Sequence, residues 1–243
     1  FMVLRGRNVE FHRKAFRIAA VFACVAALLQ PLSGDHSAKS VAIRQPAKLA
    51  AMEAHFKTEK SASFLIGGIP DEKNKEVNYG IKIPGLLSYL AHGDFKAEVK
   101  GLDQIPQENH PPVAITHYAF QIMIGLGTLM SGIAVLYFIS LWKKRSWLQS
   151  TWLLKLFALA TPMGFIAVEA GWTVTEVGRQ PWIIYGVMKT RDAVTPMPGI
   201  AYSFIIFTGV YLLLAFLVVF MLYRQIKMVD KIYDIPAPSI NQN

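Results

Sequence analysis

Residues 113–142 read VAITHYAFQIMIGLGTLMSGIAVLYFISLW, a run without Asp, Glu, Lys or Arg. A bilayer-spanning helix needs roughly 20 consecutive apolar residues, so this run predicts a membrane helix from about Val113 to Trp142. Three other stretches have the same character. Residues 18–34 and 193–223 carry no charged side chain, and residues 151–178 are interrupted only by Lys155, Glu169 and Glu176. They predict helices over about Val9–Leu32, Gly199–Tyr223 and Thr151–Val177. The expected fold is therefore all-α, an integral membrane helical bundle with four transmembrane helices and a long external loop.

The distribution of charge orients that bundle. The chain of 243 residues has 53% hydrophobic content and a formal net charge of +9. Residues 33–112 hold ten cations and ten anions, so the excess lies at the ends of the apolar segments. Arg5, Arg7, Arg13 and Lys14 precede the first, Lys143, Lys144 and Arg145 follow the second, and Arg224, Lys227 and Lys231 follow the fourth. By the positive-inside rule those ends are cytoplasmic, with both termini inside and residues 34–112 outside. Cations that flank spans point to a lipid bilayer as partner, and without aromatic-basic interleaving or an RNA-binding motif they exclude nucleic acid. The single Cys24 excludes a disulfide framework and reads as packing.

Four parts are expected: residues 1–33, a membrane helix with a basic cytoplasmic flank; 34–112, the external loop; 113–228, a three-helix membrane part; and 229–243, a polar cytoplasmic tail. The first helix should end where Gln30-Pro31 and Ser33-Gly34-Asp35 supply breaking chemistry. In the loop, Pro46–Lys57 predicts an amphipathic helix with Leu49, Met52 and Phe56 on one face. Residues 61–110 are turn-rich. Gly125, Gly127, Ser131 and Gly132 predict close helix approach, and Pro162 with Gly164 predicts a kink.

The third apolar stretch ends Glu169-Ala-Gly-Trp-Thr-Val-Thr-Glu-Val-Gly-Arg-Gln-Pro-Trp182. A carboxylate at membrane depth costs roughly 2.5–3.5 kcal/mol by insertion scales, so its default reading is a functional group. At about 100° per residue, Glu169, Trp172 and Glu176 share one helical face. Other readings remain open: a carboxylate paired with Arg179, a structural Trp172, and Trp182 as an interfacial anchor. Met123 stands in Phe120-Gln-Ile-Met-Ile-Gly125, where a thioether suits axial haem ligation, although most buried methionines fill core gaps. His117 lies roughly 240° round the same helix from Met123 and reads as a hydrogen-bonding residue near the outer face.

The Glu-Ala-Gly-Trp…Glu-Val-Gly-Arg-Gln-Pro-Trp motif resembles the signature of subunit I of cytochrome bd-type quinol oxidases. The resemblance implies that Met123 is an axial ligand of a low-spin haem b, within a Phe-Arg-x-Met-x-Gly pattern in which Gln121 replaces the usual Arg. A fixed cation there would raise the haem potential, so its loss implies another cation or a different potential. It implies that Glu176 ligates or adjoins a high-spin pair of haem b and haem d (or a second haem b), that Trp172 packs against the pair, and that Arg179 and Trp182 lie at haem propionates or edges. Glu169 has a proton-handling or structural role. Gly34-Asp35 and Lys48-Leu-Ala-Ala-Met-Glu53 are similar to the family's quinol-binding loop, which assigns Asp35, Lys48 and Glu53 to quinol, with His36 where Glu is common.

The implied activity is that of a terminal respiratory oxidase, a quinol:oxygen oxidoreductase in a bacterial or archaeal-type cytoplasmic membrane. It oxidises quinol at the outer face and reduces oxygen to water. Subunit I carries five further helices ahead of this region, with the histidine ligands, so the chain reads as its C-terminal part and is expected to be inert alone. Its partners are then the missing N-terminal half and subunit II. The rival reading is a haem-free membrane scaffold in which Glu169 and Glu176 move protons or cations.

Overall fold

The computed structural model describes residues 2–143 and 150–233, with side chains through 228. Lys144 and Arg145 of the cationic flank, and residues 234–243 of the expected tail, lie outside the described residues. Contacts group the chain into two units, Phe1–Ala193 and Val194–Asn243. Among the described residues four helices are long and apolar enough to cross a membrane.

The first, α1 (Val9–Arg44), does not stop at Leu32. Pro31 lies inside it, and the helix continues past the expected breaker because local pairs support the extra turns: Lys39 Nζ meets Asp35 Oδ2 at 2.6 Å, and Ser37 Oγ donates to Ser33 O at 3.0 Å. At 1.5 Å per residue its 36 residues exceed a hydrocarbon layer of about 30 Å, so the last turns belong to the layer beyond the membrane. The helix α2 (Pro46–Met52) follows after one residue. It is shorter than the expected amphipathic helix, because Ala54 takes a left-handed φ of 48° and turns the chain away. Nor is it a surface helix, since every residue from Ala47 to Met52 is buried.

The turn-rich segment contains more pairing than its composition predicts. The strands β1 (Glu59–Lys60), β2 (Phe64–Ile66), β3 (Ile69–Asp71), β4 (Glu76–Asn78) and β5 (Ile81–Ile83) precede the helix α3 (Leu86–His92) and β6 (Glu98–Val99). Three antiparallel two-stranded ladders result, β1 with β6, β2 with β5 and β3 with β4. Each is too short to stand alone in water, so the layer is held by its core. Ala42, Leu49, Met52, Ala62, Phe64, Leu87, Ala91 and Val99 pack there with Ala119, Phe120 and Val174 of the membrane helices.

Those helices are α4 (Val113–Lys143) and α5 (Thr151–Val177), which pack together, with α1 against α4. The close approach expected at Gly125, Gly127 and Gly132 is not made: a Cβ at any of them would meet nothing within 4 Å. Small residues act elsewhere. Ala20 and Cys24 of α1 pack on Ala134, Tyr137 and Leu153, and Ser131 Oγ donates to Ala27 O at 2.9 Å. After α5, the strands β7 (Trp182–Ile184) and β8 (Met188–Lys189) form a hairpin. The second unit holds α6 (Ile200–Tyr233), ten residues longer than expected at its C-terminal end, so residues 229–233 of the expected tail are helical. Its residues 200–223 carry no charged side chain and are exposed.

Candidate functional site

Lys48 joins the connecting layer to the end of α5. Its side chain is buried, and Nζ donates to Thr175 O at 3.3 Å, an unpaired carbonyl of the last helical turn. Burial lowers its pKa, the nearby Arg179 guanidinium lowers it further, and Glu176 opposes both. Lys48 thus shares its surroundings with two residues of the α5 signature. The approach depends on Gly178. A Cβ there would lie 2.9 Å from Thr116 Cγ2 and 3.4 Å from Lys48 Cγ. Gly178→Ala is expected to destabilise the chain by about 1–3 kcal/mol, as overpacking does, and a lowered thermal midpoint checks it.

A second cluster forms where α4 meets the residues after α2. Glu53 is 2% exposed, and burial raises its pKa to about 8, against the pull of the Leu65 amide. Gln121 clamps the neighbouring strand: its Nε2 donates to Leu65 O at 2.9 Å, and Gly67 N–H donates to its Oε1 at 2.9 Å. An arginine offers five donors and no acceptor, so it cannot make both bonds. Gln121→Leu orphans two half-buried backbone groups, at about 1–3 kcal/mol each. Faster proteolysis of residues 60–85 in that variant is the expected result. His117, one turn before Gln121, is fully buried, and its Nδ1 donates to Met52 O at 2.9 Å. It is the hydrogen-bonding residue its position predicts.

On α5, Glu169, Trp172 and Glu176 do share a face, and it is turned outward: Trp172 is 62% exposed. Glu176 Oε2 accepts from Arg179 Nη2 at 2.6 Å, which is the paired state that sequence reading left open. Arg179 Nε is buried without a partner. Met123 lies on a different side of the helix, since a Cβ on Gly171 would stand 3.0 Å from Met123 Sδ. Met123 and Glu176 thus belong to separate places. Asp35 is remote from both clusters in its bonding, on α1 with Lys39. Trp182 packs beside Tyr185, with Lys189 Nζ 5.2 Å from its ring centre, and Lys189 also pairs with Glu108 at 3.0 Å.

A family model for cytochrome bd terminal oxidase subunit I matches residues 1–229. The chain belongs to that family. As a subunit I chain it is 39% identical, over 91% of its length, to a Bacillus subtilis (strain 168) protein provisionally named cytochrome bd menaquinol oxidase subunit I. It is 32% identical, over 98%, to the cytochrome bd ubiquinol oxidase subunit 1 of the same organism. The bd oxidase structure from Geobacillus thermodenitrificans aligns with a TM-score of 0.80 at 36% identity, covering 93% of this chain and 52% of that one. The chain spans about half the length of the curated relatives it matches.

Among the described residues no three His, Cys, Asp or Glu side chains gather as a metal cluster. Haem would ask for less from one chain, a single donor atom toward each iron. The half-buried thioether of Met123 and the outward carboxylate of Glu176, its side chain 49% exposed, are suitable donor types. The buried, unpartnered Arg179 Nε beside Glu176 suits a propionate. The residues present fit the group.

Gly171, Gly178 and His117 were not among the site residues that the motifs picked out. The glycines lie inside the signature, but which of them faces a neighbour depends on the packing of α4.

Proposed function

We propose that this chain forms the quinol-facing half of the haem-bearing subunit of a bd-type terminal oxidase. Quinol is oxidised at the outer membrane face and oxygen is reduced to water. The observation that carries this reading is the buried bond from Lys48 to Thr175, which joins the residues assigned to quinol with the helix assigned to haem. In this reading Met123 would hold low-spin haem b through its thioether sulfur. Glu176, with Trp172 beside it, serves the high-spin pair of haem b with haem d or a second haem b. When bound, the haems supply one-electron transfer and oxygen binding.

The protein side of the work falls to the two clusters. Lys48 offers an ammonium to a quinol oxygen, and the neutral Glu53 offers a hydrogen-bond donor. Arg179 neutralises propionate charge, and Glu169 exchanges protons along the outward face of α5. Both termini are cytoplasmic and residues 34–112 are external. The N-terminal half of subunit I and subunit II complete the assembly.

The test is a reduced-minus-oxidised optical spectrum of membranes containing this chain, alone and with the N-terminal half of a related subunit I. Haem bands that arise only on co-expression support the proposal, and the chain alone should consume no oxygen. Absence of haem bands with both chains present would favour the scaffold in which Glu169 and Glu176 carry protons or cations, a reading that draws on the Glu176–Arg179 ion pair.

Glu53 makes stability pH-dependent. Its folded pKa of about 8 stands above its ordinary 4.5, so between those values the folded chain keeps a proton that the unfolded chain releases. Its contribution is fully present below about pH 4.5 and is lost as pH rises through 8. Glu53→Gln, neutral at every pH, should therefore melt increasingly above the wild type between pH 5 and pH 8. Equal slopes of melting temperature against pH for the two proteins would count against a buried neutral Glu53.

A further inference from the structure

The connecting layer meets α4 at a level that the helix itself fixes. Lys143 ends α4, and a hydrocarbon layer of about 30 Å takes about 20 helical residues, so that layer reaches from Trp142 back to the neighbourhood of Met123. Gln121 stands just beyond this boundary, and its side-chain amide grips the edge of β2 through Leu65 O and the Gly67 N–H, each at 2.9 Å. The β2 strand is therefore held at the edge of the hydrocarbon layer.

The ladder of β2 with β5 has two unlike faces. Its register pairs Phe64 with Ile83, Leu65 with Lys82 and Ile66 with Ile81. Side chains alternate along each strand, so Phe64, Ile66, Ile81 and Ile83 share one face, and Leu65 and Lys82 share the other. Leu65 and Lys82 line a cavity of about 380 Å³ together with Lys57, Glu59, Lys75 and Glu76, a lining suited to water. On the opposite face Phe64 enters the core that holds Ala119, Phe120 and Val174, so this is the face turned toward the membrane helices. Beyond Phe64 it is uncovered: Ile66, Ile81 and Ile83 are all exposed, Ile81 to 66%. Tyr79, just before this face in the chain, is 92% exposed and has a φ of 60°. Left-handed backbone disfavours a bulky side chain, so a tyrosine there has neither conformation nor burial in its favour in water, whereas its amphipathic ring suits the headgroup level of a bilayer.

We propose that the isoleucine face of the β2–β5 ladder is a lipid-contact surface, with Ile66, Ile81 and Ile83 against acyl chains at the edge of the bilayer and Tyr79 among the headgroups. Lys82 and the cavity on the other face stay in water, so the ladder straddles the interface as an amphipathic surface helix does. Single exposed apolar residues are ordinary on any protein. Three on one face of a two-stranded ladder, continuous with the core of the membrane helices and level with the end of the hydrocarbon layer, mark a contact surface, and that level selects lipid. Lipid contact here depends on the spans and the ladder alone, with or without haem or quinol. It moors the layer that carries Lys48 and Glu53 to the bilayer surface.

The test uses the chain assembled with cysteine-free forms of the N-terminal half of subunit I and of subunit II, in vesicles of phosphatidylethanolamine and phosphatidylglycerol. A Cys24→Ala background removes the buried native thiol. Nitroxide labels are then placed singly through Ile66→Cys, Ile81→Cys and Lys82→Cys. Dissolved oxygen, which concentrates in lipid, should relax the labels at 66 and 81 more strongly than a water-soluble nickel chelate does, and the order should reverse at 82. Adjacent residues 81 and 82 thus report opposite phases because they stand on opposite faces of one ladder. Stronger relaxation by the nickel chelate at 66 and 81 would place this face in water and overturn the proposal. Protection of both labels from both reagents would overturn it in favour of a protein partner that covers the face. Failure of both labelled variants to assemble would overturn it too, since a face bathed in lipid accepts a nitroxide side chain.

Discussion

Replacing Met123 with Leu is expected to remove the low-spin haem b absorbance of the assembled oxidase while the chain stays folded in the membrane. Leu and Met have similar volumes, and such swaps in packed interiors cost less than about 1.5 kcal/mol. The site tolerates the change in shape as well. Met123 is partly buried beside the core formed by Phe120, Ala119 and Val174, and its sulfur rests over Gly171, where no side chain competes. What Leu lacks is the sulfur lone pair, so spectrum and stability should separate. The α bands of low-spin haem should vanish in the difference spectrum and quinol-driven oxygen uptake should cease. Retention of those bands in Met123→Leu would remove Met123 from the ligand set. A control is Gly171→Ala, which crowds the same sulfur at 3.0 Å and should shift the bands rather than abolish them.

The second large effect is expected from Glu176→Gln, with oxygen reduction falling roughly 10²-fold or more, the scale on which removal of one positioned polar group acts in other active sites. The substitution keeps volume and an acceptor oxygen but removes the charge. Glu176 is the partner of Arg179 at 2.6 Å and the one group that opposes the depression of the Lys48 pKa. Without it, two cations face each other at the end of α5, so Lys48 should lose its proton at still lower pH. The variant should alter the high-spin haem absorbance and oxygen uptake, with the low-spin bands kept, because Met123 stands on another side of α5. Glu169→Gln, two turns earlier on the same outward face, should leave the haem spectrum unchanged. If Glu176→Gln alters ion flux across vesicles but no haem band, the translocating scaffold becomes the better account.

The two effects differ in kind for a structural reason. Met123 sits in a partly buried position between α4 and α5, whereas the Glu176 side chain is 49% exposed on the outward face of α5. The first therefore reports on a donor atom alone, and the second on a charge shared among Glu176, Arg179 and Lys48.

Much of the architecture follows from the sequence alone, because lipid forces backbone groups to bond within a helix and leaves hydropathy as a direct record of the spans. Val113 and the whole of α5 were legible to the residue for that reason. So was the shared face of Glu169, Trp172 and Glu176, which needs only helical periodicity. The end of α1 was not. Pro31 is a breaker in water, but turns beyond it are held by Asp35, Lys39 and the core at Ala42, partners that hydropathy does not register.

What only the tertiary structure decided is which polar residues meet. In the sequence, Lys48 and Thr175 are 127 positions apart, and Gln121 and Leu65 are 56 apart. No periodicity links them, because each contact depends on how the layer of short strands folds back onto α4 and α5. That packing buried Lys48 against the end of α5, committed Gln121 to backbone groups of the strand layer, and enclosed Glu53 and His117. Local sequence sets helices and faces through short-range sterics and solvation, whereas burial and pairing of polar groups are set by which distant surfaces come together.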